Sequence, residues 1–384
     1  MSDLLWLGLF MLAVASGWWL GRRERRPLER RRAAQAISDN HLLGQPSDAT
    51  LKRLSEALEV SNDTFDAHLA VGRQFRQRGD LERATQVHQN LLARPELGRA
   101  EQERAQLELA RDFLAAGVFS RAERLLQELV EARAGVSGEA LLDLQRIYER
   151  ERDWARAVEI ARQLPPGEPS PQVALGHYYC EWAEQSLRRG EAAEARALLE
   201  RALESDPACA RASLLLARLH AAQGEERAAI GRLLQVAEQD RDFLAESLEP
   251  LLRHAASTGS LAQLEAYLRE QLARDEPTVR DALALSLARV VGQREGDAAA
   301  QALLHEQLAR RPSLALIRRL LECAPADAGA LADSAVRDAL ARLAEEVPAW
   351  RCRRCGFQAR RLHWQCPACH GWAVVRPRQA GPAH

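Results

Sequence analysis

Isoleucine and threonine are scarce in this 384-residue chain, at five apiece, and aromatic side chains supply only 5% of it. β-Branched and aromatic residues are the natural fill of pleated sheets, so their shortage excludes a β-sandwich, a propeller or a large parallel sheet. Leucine, alanine, glutamate and arginine take their place, a usage that favours helix. Lysine is nearly absent, since all but one of the 53 basic residues are arginine. The body of the chain also lacks a Gly-rich phosphate loop, a nucleophile elbow and a His-Glu-x-x-His pair, which removes the commoner signatures of nucleotide, acyl-transfer and zinc-peptidase chemistry. What remains, 47% hydrophobic and 28% charged, is the composition of a globular protein long enough for two or three units.

The formal net charge of −1 conceals an uneven layout. Leu4 to Arg32 carries +5, and the stretch after Glu346 has seven arginines and no acid. Residues 33–346 hold 39 basic against 51 acidic side chains, net −12. Basic ends suit anionic partners such as lipid headgroups, phosphates or nucleic acid, although solvated surface charge accounts equally well for either end alone.

Leu4 to Gly21 is an uncharged run of 18 residues. As a helix it is about 27 Å long, enough to cross a bilayer core. Trp6 and the pair Trp18–Trp19 stand where interfacial aromatics belong, and Arg22, Arg23, Arg25 and Arg26 follow at once. A cleaved signal peptide competes, with Ala13-Val14-Ala15 as its cleavage site, but no base precedes the run and Asp3 is acidic. The expectation is a single uncleaved transmembrane anchor over 1–21, a basic juxtamembrane linker over 22–36, and the bulk of the chain on the cytoplasmic side of the membrane.

Residues 65–312 are dominated by internal periodicity. Gly72, Phe75, Gly79, Ala84, His88 and Leu91 are spaced like Ala110, Phe113, Gly117, Ala122, Leu126 and Leu129. The steps recur at Ala183, Ser186, Gly190, Ala195, Leu199 and Ala202, again at Ala217, His220, Gly224, Ala229, Leu233 and Val236, and around Gly259. Gln145, Tyr148, Arg152, Ala157 and Ala161 form a weaker copy. Small residues let two antiparallel helices approach, large ones fill the gap beside them, and glycine allows the turn. The pattern resembles the tetratricopeptide repeat (TPR), and the expectation is an all-α TPR solenoid over 37–345 with a bend at the proline-rich 164–171. Such stacks expose a groove for peptides or protein surfaces. Tyr148, Tyr178, Tyr179, Trp154, Trp182, His88 and His220 are read as packing residues, and the many acids as solvated faces.

The seven cysteines fall into two groups. Cys180, Cys209 and Cys323 are scattered and read as buried fillers. Cys352-x-x-Cys355-Gly356 and Cys366-Pro367-x-Cys369 form two knuckles that together complete a tetrathiolate site for one metal ion. Disulfides are disfavoured in a cytosolic chain. The knuckles resemble those of rubredoxins, which accept iron or zinc. A closed four-sulfur shell favours a structural zinc, and the module, a rubredoxin-like zinc ribbon, is expected over 346–378 with a tail over 379–384. Trp350, Phe357, Trp364 and Trp372 are expected to cover it and dock it on a neighbour, with His363 and His370 read as surface groups or groups supporting the ligands, in preference to spare ligands.

Anchor, TPR array and tetracysteine module in this order are similar to the lipopolysaccharide assembly protein B family, over essentially the whole chain. Local text agrees at Leu58-Glu59-Val60, Thr64, His68-Leu69-Ala70-Val71-Gly72, Arg78-Gly79-Asp80, His88 to Pro95, Trp364-x-Cys366-Pro-x-Cys369 and Trp372. Ile37-Ser38-Asp39 departs from the more aromatic first helix expected there, which leaves the first repeat boundary open. The resemblance implies a non-enzymatic adaptor that restrains lipopolysaccharide synthesis by promoting proteolysis of the deacetylase LpxC by the membrane-bound protease FtsH. A passive scaffold for other lipopolysaccharide assembly proteins is the nearest alternative, and self-association is left open. A nucleic-acid binder using the Arg-rich ribbon and an electron-transfer protein using iron are the disfavoured classes.

Overall fold

A computed structural model describes residues 64–165, 171–322 and 348–378. The expected anchor over 1–21, the linker over 22–36, the start of the solenoid, most of the proline-rich 164–171, Cys323 and the tail over 379–384 lie outside the described residues. Among the described residues no helix is long and apolar enough to cross a membrane. The chain divides into two compact units, 1–153 and 154–384.

The first unit contains α1 (Phe65–Gln77), α2 (Leu81–Leu92), α3 (Arg99–Ala115), α4 (Phe119–Glu131) and α5 (Ser137–Glu151). Helices α1 and α2 form one antiparallel hairpin, α3 and α4 the next, and α5 packs on α4. The second unit begins with α6 (Trp154–Ala161) and α7 (Pro171–Arg188), the latter with proline at its first position, where no N–H is needed. It continues with α8 (Ala192–Ser205), α9 (Ala210–Ala222), α10 (Glu226–Gln239), a 3₁₀ turn at Arg241–Phe243, α11 (Leu244–Ser257), α12 (Leu261–Ala273), α13 (Arg280–Glu295), α14 (Asp297–Arg310) and α15 (Leu314–Glu322). It closes with three short strands, β1 (Trp350–Cys352), β2 (Gln358–Ala359) and β3 (Val375–Pro377), in the antiparallel order β2-β1-β3.

The repeat spacing has a local cause. Gly79, Gly117, Gly190, Gly224 and Gly259 all lie in the left-handed region, with φ between 66° and 82°. In each turn the residue after the glycine donates its N–H five residues back: Asp80 to Phe75 O, Val118 to Phe113 O, Glu191 to Ser186 O, Glu225 to His220 O and Ser260 to Ala255 O, at 2.8–3.0 Å. This caps the orphan carbonyls at the end of the first helix and reverses the chain. In the weaker copy Arg152 takes the glycine's place and its conformation, at φ 56°, with Asp153 N–H on Tyr148 O at 2.9 Å.

Small residues do what the spacing asks of them. Ala84, Ala122, Ala157, Ala195 and Ala229 are all fully buried. A Cβ added at Gly72 would stand 2.4 Å from Nε2 of His88, so only glycine lets α1 approach the imidazole on α2. His88, Tyr148, Tyr178, Tyr179 and Trp154 are buried, as packing residues should be, whereas His220 sits nearer the surface and pairs with Glu225. Cys180 and Cys209 are buried with their sulfurs 3.9 Å apart.

Contrary to the helical pattern of the acids, several carboxylates are buried. The acids of the first unit are not all solvated: the side chains of Glu108, Asp112 and Asp143 are 2%, 0% and 2% exposed. Arg76 binds Glu108 at 2.5 Å and Asp112 at 2.7 Å, Arg73 binds Glu108 at 2.8 Å, and Arg111 binds Glu108 at 3.0 Å and Asp143 at 2.7 Å. His88 Nδ1 lies 2.5 Å from the other Asp112 oxygen. Buried carboxylates require such partners, and the repeat supplies them from the neighbouring helices. Burial pushes the Glu108 carboxyl up, but Arg73 and Arg76 outweigh it and hold the group at about 2.

Candidate metal centre

The two cysteine knuckles are local copies of one another. Cys352 N–H donates to Phe357 O at 2.7 Å, and Gly356 N–H returns to Cys352 O at 3.0 Å. In the second, Cys366 N–H donates to Gly371 O at 2.9 Å and His370 N–H returns to Cys366 O at 2.9 Å. The residue four after the first cysteine is left-handed in both, Gly356 at φ 78° and His370 at φ 55°. Strand β1 delivers Cys352, and the isolated bridge Gln365–Trp372 frames the second knuckle.

The result brings together all four cysteines singled out from the sequence. Their sulfurs lie within 4.8 Å of one another, Cys352 to Cys369 at 3.7 Å and Cys355 to Cys366 at 3.6 Å. A tetrahedral ion with metal–sulfur bonds of about 2.3 Å places its sulfurs about 3.8 Å apart, so the donor set fits one such ion. Burial pushes the Cys352 thiol up, but the N–H groups of Cys355 and Arg354 outweigh it and hold the group at about 7. Cys369 is pushed up to about 12 by burial and by its sulfur neighbours, against the Gly371 N–H. Four thiolates so close repel one another strongly, and a cation at their centre resolves the repulsion.

Aromatic rings seat the ribbon on the solenoid. Trp350 stacks on Phe243 at 6.3 Å, and Trp364 meets the same ring at 4.7 Å. Trp372 stacks on His177 at 5.1 Å and meets Trp154 and Tyr178 edge-on. Burial, helped by Arg211 and Arg376, lowers His177 to about 3, so this imidazole is neutral at pH 7. Arg376 lies 4.7 Å over Phe243 and pairs with Asp240, while Arg353 binds Asp242 at 3.0 Å. Trp350, Cys352, Cys366 and Val375 belong to the same hydrophobic core as the leucines of α10 to α14.

Of the four expected docking aromatics, Trp350, Trp364 and Trp372 do dock, whereas Phe357 meets His363 within the ribbon. The receiving side, Phe243, His177, Arg211, Asp240 and Asp242, was not legible in the sequence. Its one local signal is Asp240-Arg241-Asp242-Phe243, a 3₁₀ turn that interrupts the helix hairpins.

Helical hairpins carrying a four-thiol ribbon define a TPR scaffold with a C-terminal rubredoxin-like module. Family models agree: residues 107–173 and 186–249 match the tetratricopeptide repeat, and residues 350–377 match the rubredoxin metal binding domain. The chain belongs to the lipopolysaccharide assembly protein B family. It is 32% identical over 387 residues to lipopolysaccharide assembly protein B of Escherichia coli strain K12, covering 98% of both chains. The Haemophilus influenzae protein of that name is 32% identical over 398 residues, again with 98% of both covered. Among solved structures, the C-terminal part of a TPR repeat-containing protein from Cytophaga hutchinsonii is 14% identical and covers 76% of this chain and 95% of its own, with a TM-score of 0.35 that carries no functional weight.

Proposed function

We propose that the chain is a non-enzymatic adaptor in lipopolysaccharide assembly, held at the bacterial inner membrane by residues 1–21 with its repeats on the cytoplasmic side. The observation that carries this reading is the full-length family match joined to a solenoid with the ribbon packed into its core. Cys352, Cys355, Cys366 and Cys369 hold one metal ion, zinc in preference to iron, and the ion supplies a cross-link between the two knuckles. A shell of four protein sulfurs leaves no position for a reacting group, which favours a structural role. Solenoid and ribbon present partner proteins, and the finer reading is presentation of the deacetylase LpxC to the protease FtsH.

Two experiments test it. The purified chain is expected to carry about one zinc per molecule, lost on Cys352→Ser with Cys366→Ser; stoichiometric metal in that double variant refutes the four-thiol site. In cells lacking the native gene, the full chain is expected to shorten the half-life of LpxC only while FtsH is active. An unchanged half-life, or equal shortening without the protease, ends the proteolytic reading and leaves the passive scaffold in its place.

A further inference from the structure

The ribbon carries seven arginines between residues 348 and 378 and no acid. Arg353 and Arg376 are engaged with Asp242 and Asp240 of the solenoid. The other five, Arg351, Arg354, Arg360, Arg361 and Arg378, are exposed and make no ion pair among the described residues. Three of them stand at the small sheet, where Arg351 lies opposite Gln358, two residues before Arg360, and Arg378 N–H bonds Ala349 O at 2.8 Å; Arg354 lies in the first knuckle and Arg361 follows Arg360. Elsewhere in the second unit arginines are commonly paired, as in Arg189–Glu191, Arg269–Glu265 and Arg289–Glu249.

The aromatic residues decide between anionic partners. Single-stranded nucleic acid is bound by basic grooves whose aromatic rings stack on bases. Here Trp350, Trp364 and Trp372 turn inward onto Phe243 and His177, and Phe357 is engaged with His363. The three tryptophans are committed to the solenoid, which leaves the Phe357–His363 pair in place of a row of stacking rings beside the arginines and favours a phosphate-bearing surface read by charge. The layout of the whole chain agrees: an anionic surface attracts the +5 N-terminal and the Arg-rich C-terminal stretches and repels the −12 body.

We propose that the five free arginines of the ribbon seat on the anionic phospholipid headgroups of the membrane, giving the chain a second membrane contact at its C-terminal end. The inference rests on the anchor reading, because tethering confines the ribbon to one bilayer and lets weak contacts suffice. Each arginine near an anionic surface contributes about a fivefold change in association, screened by salt.

The test uses the full chain, with p-benzoylphenylalanine in place of exposed Gln358, in nanodiscs of phosphatidylcholine alone or with phosphatidylglycerol added. Lipid adducts at position 358 are expected to rise at least about fivefold in the anionic discs, to fall at high salt, and to vanish when Arg351→Glu, Arg360→Glu and Arg361→Glu are combined. The same probe at exposed Glu200 on α8 is expected to give none, and zinc content is expected to stay unchanged. An incorporated chain with no charge-dependent adducts overturns the inference while leaving the anchor standing. Cross-links to a second copy of the chain, or to added RNA, in place of lipid also overturn it. A chain that does not incorporate yet gives salt-sensitive adducts refutes the anchor and keeps the contact, and one that does neither ends both.

Discussion

Replacing Phe243 by alanine tests how the ribbon is held. The ring is 2% exposed and lies between Trp350, Trp364 and the Arg376 guanidinium, at 6.3, 4.7 and 4.7 Å. Removing a buried phenylalanine costs about 3–5 kcal/mol in transfer and cavity terms. The two ring contacts each carry about 0.5–1.5 kcal/mol, and the cation–π contact about 1 kcal/mol, but these overlap with the burial already counted. A loss of about 4 kcal/mol is therefore the expectation, placed on the dock and not on the metal, since the knuckles that hold the sulfurs are closed by their own backbone bonds. Hydrogen exchange on the zinc-loaded full chain separates the two: amides of residues 348–378 should exchange about 10²- to 10³-fold faster in Phe243→Ala, with zinc stoichiometry unchanged and the amides of α1 to α5 unaffected. Unchanged protection of the ribbon would show that it stands on its metal alone. Loss of zinc in the variant would show that dock and centre are one cooperative unit, and either result refutes the separation of dock from metal.

Gly72→Ala should destabilise the first unit by about 1–3 kcal/mol, because the new methyl meets a His88 ring that Asp112 holds in place; urea denaturation measures it. His370→Gly should stabilise the ribbon by about 0.5–1 kcal/mol by relieving a left-handed side-chain residue, while zinc content stays constant; a loss of stability would show that the imidazole itself contributes. Acid should weaken the first unit through Glu108. Its folded value of about 2 lies below the ordinary 4.5, so its stabilisation is complete above about pH 4.5 and disappears as pH falls through 2. After screening by solvent this amounts to about 2 kcal/mol, and Glu108→Gln should flatten that part of the pH profile of urea stability.

What was legible in the sequence is what local geometry fixes. Helix hairpins could be read because the glycine turn, the small residue five positions on and the large residues beyond it all fall within one repeat. The knuckles could be read for the same reason, each being closed by bonds that span four or five residues. The left-handed backbone of His370 carries no such signal, because glycine marks that position only in the first knuckle, at Gly356. The buried acids were missed because a carboxylate on a helix reads as solvated until its partner is known. A recurring offset could have found them, since Arg76 reaches Glu108 and Arg111 reaches Asp143 at the same separation of 32 residues. The receiving surface was beyond reach: Arg353 finds Asp242 across 111 residues and Arg376 finds Asp240 across 136.

The small size of the ribbon explains why it needs both supports. A segment of about 30 residues buries too little apolar surface to offset the entropy of ordering its backbone, so modules of this length rely on metals, disulfides or a neighbour. Here the four sulfurs close one side and the solenoid completes the other, with Trp350 and Val375 pointing into the larger core and Cys352 and Cys366 buried beside them. The metal also shapes the dock. The register that pairs Cys352 with Val375 also sets Trp350 opposite Pro377, so a knuckle held by metal presents the tryptophan that Phe243 receives. Disordering the knuckle removes that register, and with it the aromatic and ionic contacts that hold the ribbon on the 3₁₀ turn. A metal bound by the four sulfurs therefore also governs how much of the solenoid surface the ribbon covers.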